Sequence, residues 1–421
     1  MTRKRIIIFI TVLLGIILGA FLLIKIGQGY RPDFSTKQFR PTGLLIATST
    51  PNQASIYIDG KIAKVKTPSN LNLAPGEYEI EIKKDGFTSW KKKILIEKEL
   101  VAKTEAYLFP NFPSLNVMTS TGASSPVISP DGKKVVFAVA NYESEEKNGL
   151  WVLNLSDRPL GLGRDPLQIL QSAPKGRQFE ESKYQWSPDS EQILVTLNQD
   201  EVNEENFLVE ADRLNPATEL IDVTNQLLII RNRWQDEQDI IKKAELAKLP
   251  EELIMIFEDN TQDISFSPDA TKIMFTATAS AVIPKELIPP LPGASNQPEA
   301  REITTGNIYV YDIKEDRNFF IMEAPVKPQA DEVTPAKQVQ EDQKQAFSKT
   351  VSWFPTSKNI FIVQEDRLSM IEYDGTNFID IYSGPFENSF AFPFPSGTRI
   401  LILTSLNNEN IPPNLYAVSV R

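Results

Sequence analysis

Ser129-Pro130-Asp131-Gly132 decides the fold, because the same turn ahead of the same kind of apolar run recurs four times. The copies are Ser187-Pro188-Asp189-Ser190, Ser267-Pro268-Asp269-Ala270, Phe354-Pro355-Thr356-Ser357 and Phe394-Pro395-Ser396-Gly397. A proline in second place fixes φ near the value a type I turn needs, and the small or polar residue after it tolerates the bridge region. Each copy is therefore a tight reversal between an entering and a leaving strand. Ile128, Trp186, Phe266 and Trp353 stand two residues before the proline, with Pro393 the exception. β-Branched and aromatic runs of strand length follow the turns at residues 135–139, 193–197, 273–276, 360–363 and 400–403.

A third strand is predicted in each copy, at 150–155, 207–209, 308–312, 368–373 and 415–420. A fourth is predicted in four of them, at 167–170, 220–223, 319–322 and 378–382, and the fifth copy reaches Arg421 without one. Repeated four-stranded units carrying one motif each are the signature of a β-propeller. On these turns, residues 112–421 resemble the TolB-like, WD-type propeller family, whose repeat is a Ser-Pro-Asp-Gly turn before an apolar strand. The resemblance implies an all-β fold with five blades and says little about function; the last two copies lack the Asp. The spare run at 115–119 is expected to close the ring as the outer strand of blade 5, which would cover an open sheet edge.

The 421 residues include 30 Pro and 19 Gly, as a turn-rich β protein requires, and neither His nor Cys. Those two zeros exclude Ser-His-Asp and Cys-His nucleophiles, imidazole bases, thiolate or imidazole zinc sites, and disulfides. Charge is unevenly divided. Residues 1–30 hold four basic and no acidic side chains, 31–110 hold 13 and nine, and the remainder holds 27 and 46. An acidic propeller repels phosphate backbones, so no nucleic-acid partner is expected.

Residues 6–24 are an uncharged apolar run of 19, about 28 Å as a helix and close to a bilayer core. Arg3, Lys4 and Arg5 precede it, which by the positive-inside rule places residues 1–5 in the cytoplasm, a transmembrane helix at 6–26 and the bulk outside the cell membrane. A cleaved signal peptide with Leu18-Gly19-Ala20 at its small-residue site is the competing reading, against which stands an apolar region longer than the usual ~7 to 15 residues. A linker follows at 27–43, then a small β-sandwich at 44–110 with strands expected at 44–47, 55–58, 78–82, 93–96 and 102–108. Asp59-Gly60, Ala74-Pro75-Gly76 and Asp85-Gly86 supply its turns. Ser49-Thr50-Pro51, Ile56-Tyr57-Ile58-Asp59-Gly60, Thr67-Pro68, Leu73 to Tyr78 and Lys84-Asp85-Gly86-Phe87 resemble, in that order, a PEGA domain, although the literal Pro-Glu-Gly-Ala string is absent and Lys66 stands where Gly usually precedes Thr-Pro. The resemblance implies an extracytoplasmic module without a catalytic site. Its Lys83-Lys84 and Lys91-Lys92-Lys93 cluster could meet anionic headgroups or wall polymers, and the simpler reading is a solvated strand face.

Within the propeller, 111–421, three insertions exceed a minimal blade: 225–262, 280–306 and 323–349. Trp234 to Leu249, Pro250 and residues 253–257 read as two amphipathic helices with a break. Deletion of 232–260 is expected to leave the propeller folded, since no ladder strand is lost. Residues 323–348 have the composition of a disordered linker. The Pro turns and the turns between third and fourth strands share one face, and the insertions fall on the other, which is expected to bind ligand. The chain should enter from the Pro-turn side, with the small domain and membrane beneath it.

For chemistry, paired carboxylates remain, and 55 acidic residues offer no selected pair. Asp131, Asp189 and Asp269 recur as turn residues. Asp200-Glu201 with Glu204-Glu205, and Glu143 with Glu145-Glu146, lack the ligand spacing of a Ca²⁺ loop. Trp151, Trp186, Trp234 and Trp353 suit either a stacking platform or a core. No catalytic, cofactor-binding or metal-binding residue is assigned, and no cofactor is expected. The expected function is a membrane-anchored, non-catalytic scaffold whose propeller binds a protein or a cell-wall or surface polysaccharide; the alternative is an envelope glycan hydrolase.

Overall fold

The computed structural model of the protein describes residues 3–27, 30–33, 38–140, 145–156, 165–172, 177–198, 204–289, 295–325, 351–387, 389–408 and 411–421. The insertion at 323–349 lies almost wholly outside them, as do Glu143 and Asp200-Glu201. The chain divides into two compact units: the residues up to Asn111 with Ile288–Glu299 and Lys314–Asp316, and Phe112–Leu287 with Ala300–Ile313 and Arg317–Arg421.

The first unit opens with helix α1, Arg3–Gly27. Residues Arg5–Lys25 have a mean hydropathy of 3.1, and none of that span is covered by the rest of the chain. An uncovered apolar helix of this length is a membrane anchor or a signal sequence. The sandwich follows. One sheet has the order Ser69–Leu73, Gly43–Thr50, Val101–Tyr107, the last two strands parallel. The other is antiparallel, in the order Lys61–Lys66, Ser55–Ile58, Gly76–Lys83, Trp90–Ile96. Alternate residues Leu45, Ala47, Ile80 and Ile82 enter a core shared with Ile56, Trp90 and Ile96. Gly43 has no substitute, because a Cβ there would run into the carbonyl oxygen of Glu97. Lys61–Lys66 and Ser69–Leu73 escape the sequence reading, being edge strands rich in Lys and Asn, the first largely exposed and the second half-buried. The lysine cluster is a solvated face: Lys91 pairs with Glu79 and Lys83 with Glu81, each at 2.8 Å.

The second unit contains five antiparallel blades. Blade 1 is Ser124–Ile128, Lys134–Val139, Gly149–Asn154 and Leu167–Gln171. Blade 2 has Lys183–Trp186, Gln192–Asn198 and Glu204–Glu210, and blade 3 has Thr261–Phe266, Lys272–Ala277, Asn307–Asp312 and Arg317–Glu323. Blade 4 is Val351–Trp353, Asn359–Val363, Arg367–Glu372 and Ile379–Ser383. Blade 5 is Ala391–Pro393, Arg399–Thr404 and Asn414–Ser419, and Leu115–Val117 completes it from the other end of the domain, pairing Leu115 with Val418 and Val117 with Tyr416. The ring closes by strand exchange as the spare strand implies. The predicted fourth strand of blade 2 at 220–223 is corrected: only an isolated bridge joins Phe207 to Asp222, because the Asp222 carboxylate accepts from the Thr224 amide and hydroxyl and turns the chain toward a helix.

Blades bury their faces against their neighbours. Val136, Ala138 and Val152 of blade 1 meet Trp186, Ile193 and Phe207 of blade 2, while Val135, Phe137 and Leu153 meet Phe394, Leu401 and Leu415 of blade 5. Met274 and Val310 of blade 3 meet Trp353 and Ile362 of blade 4. Between blades 2 and 3 the pattern changes. Two helices form around the predicted break, α2 at Leu227–Leu246, beginning seven residues before Trp234, and α3 at Glu251–Asn260, with Pro250 ahead of α3 and Glu251 and Glu252 in its first turn. Ile230 and Trp234 cover Leu194 of blade 2, whereas Leu246, Leu253 and Phe257 cover Ile273, Phe275 and Tyr311 of blade 3. The helical pair packs on faces of both blades, so against the expectation from sequence the deletion of residues 232–260 is expected to leave both faces open to water.

Candidate functional site

The Pro turns build one face of the ring. In all five, the amide of the fourth residue donates to the carbonyl of the first, at 2.7–3.0 Å, and the fourth residue has positive φ. Glycine relieves that backbone at Gly132 and Gly397, but Ser190 and Ser357 occupy it at φ 63 and 61. The two serines compensate for the strain by reaching sideways: the Ser190 hydroxyl accepts from the Asp131 amide of blade 1 at 3.1 Å, and the Ser357 hydroxyl from the Asp269 amide of blade 3 at 3.0 Å. Trp186 and Trp353 add a second tie, their indole N–H groups donating to the carbonyls of Val127 and Ser265 in the preceding blades. Both rings are buried, as is Trp234, so these tryptophans are core rather than platforms.

Asp131, Asp189 and Asp269 serve their turns. Each accepts from the serine two residues earlier, and the Ser129, Ser187 and Ser267 hydroxyls accept in turn from Lys134, Gln192 and Lys272 amides. The Ser187 hydroxyl and the Glu191 amide hold the Asp189 carboxyl below its ordinary value of 3.8. At Asp131 and Asp269, partial burial alone would raise the pKa and is the largest influence, yet the combined serine, backbone and lysine contacts bring it down. Asp222 and Asp366 are also lowered, by the Thr224 hydroxyl and by Arg367 respectively, so these five carboxyls lie away from the raised value a glycosidase acid requires. Lowered native pKa values make these carboxylates stabilising above about pH 3.8, the contribution vanishing as pH falls through the native values. Stability is therefore expected to drop below pH 4, and Ser187→Ala should raise the Asp189 pKa toward 3.8 in a carboxyl NMR titration. An unchanged titration would remove the serine from this account.

Beneath the turns lies a polar girdle that sequence reading missed. The first residue of each second strand faces the last residue of each third strand: Lys134 and Asn154, Gln192 and Glu210, Lys272 and Asp312, Asn359 and Glu372, Arg399 and Ser419. Lys272 lies 3.7 Å from Asp312 and 4.6 Å from the Tyr373 ring centre, and Gln192 donates to Glu210 at 3.0 Å. The readable signal was a polar residue five positions after each turn begins, at the head of an otherwise apolar run.

Among the described residues, the opposite face carries the long connection between the second and third strands of blade 3, where Ala281–Val282 pairs with Glu302–Ile303. Glu205 there is neutralised by Arg177 at 2.8 Å, and Glu146 is an exposed residue whose carbonyl accepts from Gln168. No group of three potential metal ligands occurs among the described residues. Among the described residues, one open cavity of about 280 Å³ lies along residues 117–121 and Trp151, and another of about 180 Å³ lies between blades 1 and 2.

Residues 42–110 match the family model described as PEGA domain. Among solved structures, the chain is similar to the putative TolB from Agrobacterium tumefaciens, with 11% identity, 70% of this chain and 72% of that one covered, and a TM-score of 0.19. It is similar also to TolB from Acinetobacter baumannii, at 12% identity, 82% and 60% coverage and 0.20, and to the β-propeller domain of the Trilobed protease from Pyrococcus furiosus, at 12%, 90% and 96% coverage and 0.20. Scores this low add no weight to the blade topology. No curated protein matches the chain. The chain thus joins residues that match the PEGA domain model, 42–110, to a five-bladed, all-β propeller whose blades turn on a recurrent Pro turn, Ser-Pro-Asp in the first three.

Proposed function

We propose that the protein is a single-pass, membrane-anchored scaffold with its N-terminus in the cytoplasm, whose extracytoplasmic propeller binds a protein or a cell-envelope polysaccharide without catalysis. The observation that carries this reading is that the recurrent carboxylates Asp131, Asp189 and Asp269 are each engaged by the serine two residues earlier in their own turn, which suits rigid scaffolding. The longer connections opposite the Pro turns would supply the binding surface, as loops on a rigid ring commonly do.

The absence of native cysteine gives a clean topology test. Single cysteines at Thr2 and at Lys103 are expected to differ on intact cells, the second reacting with an impermeant maleimide and the first only after lysis. Equal protection of both would refute the orientation. The binding role is tested by incubating the purified full chain with fractionated envelope polysaccharide and protein. Release of reducing ends from the polysaccharide, lost on a single Asp or Glu substitution, would overturn the non-catalytic reading.

A further inference from the structure

We propose that the cavity between blades 1 and 2 is a docking pocket for an aromatic side chain of a partner protein, one flanked by Lys or Arg. It adds a contact point on the Pro-turn face and rests on the binding role proposed above.

The argument comes from the protein's own repeats. Lys134 pairs with Asn154 in blade 1 and Lys272 with Asp312 in blade 3, so these residues occupy equivalent positions. The same registers make Val152 equivalent to Val310 and Leu167 to Phe319. In the following blades, the Ala211 amide donates to Glu191 and the Tyr373 amide to Lys358, each just past the matched pairs Gln192–Glu210 and Asn359–Glu372. Ala211 therefore stands where Tyr373 stands. Between blades 3 and 4, that tyrosine ring packs edge-on to Phe319 at 5.8 Å and receives the Lys272 ammonium at 4.6 Å. Between blades 1 and 2, the side chain ends at a methyl group, and the space is a cavity of about 180 Å³ lined by Lys134, Val152, Asn154, Leu167 and Ala211. Lys134, Val152, Leu167 and Ala211 are the counterparts of Lys272, Val310, Phe319 and Tyr373, which pack together.

At the remaining direct blade joints, the equivalent residues are Leu155 and Val420, buried like Ala211 but with larger side chains that fill the position. The internal precedent specifies the ligand: a flat ring seated on Val152 and Leu167 beside the Lys134 ammonium, which donates to the Ser190 carbonyl at 3.0 Å. The rim specifies the charge. Asp165 takes the place of Arg317 and Asp212 that of Asp374. Asp374 is occupied by the Thr376 hydroxyl at 2.6 Å, whereas Asp165 and Asp212 are exposed carboxylates with no ionic partner among the described contacts. Two such carboxylates at the mouth favour cationic neighbours on the incoming ring.

The test uses the full chain in detergent with its alanine methyl groups isotopically labelled, and three probe peptides: Gly-Lys-Tyr-Lys-Gly, Gly-Lys-Ala-Lys-Gly and Gly-Glu-Tyr-Glu-Gly. The first is expected to shift the Ala211 methyl saturably in the millimolar range, with the other two at least about tenfold weaker. Ala211→Tyr, which restores the ring of the blade 4 counterpart, should abolish the response with unfolding temperature maintained. If that variant fails to fold, Asp165→Arg, an exposed change, should weaken the first peptide by about fivefold or more. No Ala211 shift with the first peptide, an undiminished response in Ala211→Tyr, or equal binding of the acidic peptide would each overturn the pocket. None of these results bears on polysaccharide or protein capture by the loop-bearing face.

Discussion

Replacing Phe257 by alanine is expected to lower the unfolding free energy by about 3–5 kcal/mol, the range for removing a buried aromatic ring that its surroundings cannot refill. The ring is fully buried and stands 5.0 Å from Phe275 and 6.4 Å from Tyr311, both on the blade 3 face that would otherwise be open. Removing residues 232–260 is harsher. It uncovers Leu194 of blade 2 together with Ile273, Phe275 and Tyr311 of blade 3, and the deletion protein is expected to be insoluble or to unfold without a cooperative transition. Urea unfolding followed by tryptophan fluorescence decides the matter. A loss below about 1 kcal/mol for Phe257→Ala would mean that the helices decorate the ring and do not complete it.

The blades were legible in sequence for a specific reason: Pro second in a turn and a β-branched run after it are local signals, and each of the five copies carries both. The closing strand was legible by counting, since residues 115–119 had no partner and blade 5 lacked one. What a local reading could not see was which surface the helices cover. Periodicity marks α2 as amphipathic, but Trp234 and Phe257 acquire their role only when blades 2 and 3 are placed on either side of them. Blade 2 failed in the same way. Leu220 to Val223 has strand composition, yet Asp222 spends its carboxylate on Thr224 and diverts the chain.

For the candidate site, the absence of His and Cys narrowed the chemistry, and the recurrence of Asp131, Asp189 and Asp269 correctly indicated turn service. The girdle of Lys134, Gln192, Lys272, Asn359 and Arg399 was present in the repeats and went unread, because a polar residue opening an apolar run looks like a strand boundary. Ala211 is harder still. A single alanine carries no signal by itself, and its meaning depends on alignment with Tyr373 through the strand register.

Replacing Asn414 by leucine is expected to cost about 2–4 kcal/mol and to loosen the seam that closes the ring, because buried donors deprived of an acceptor retain their desolvation penalty. The Asn414 side-chain oxygen accepts from the Thr119 hydroxyl and from the Gly122 amide, each at 3.0 Å, and its nitrogen donates to the Pro412 carbonyl at 3.2 Å. Thr119 then accepts from the Leu415 amide at 2.9 Å, so one amide side chain joins the segment entering blade 1 to the last strand of blade 5. These residues are nearly 300 positions apart, and the three-residue pairing of Leu115–Val117 is too short to hold the edge by its ladder alone. The reporters are the Met118 amide, bonded to Leu415 at 2.9 Å, and the Ser419 amide, bonded to Ser114 at 2.8 Å. In Asn414→Leu, both should exchange with solvent far ahead of the amides in Arg399–Thr404, which pair on both sides. Exchange of Met118 and Ser419 in step with that central strand would mean that the ring opens only by global unfolding, and that the latch contributes no separate closure.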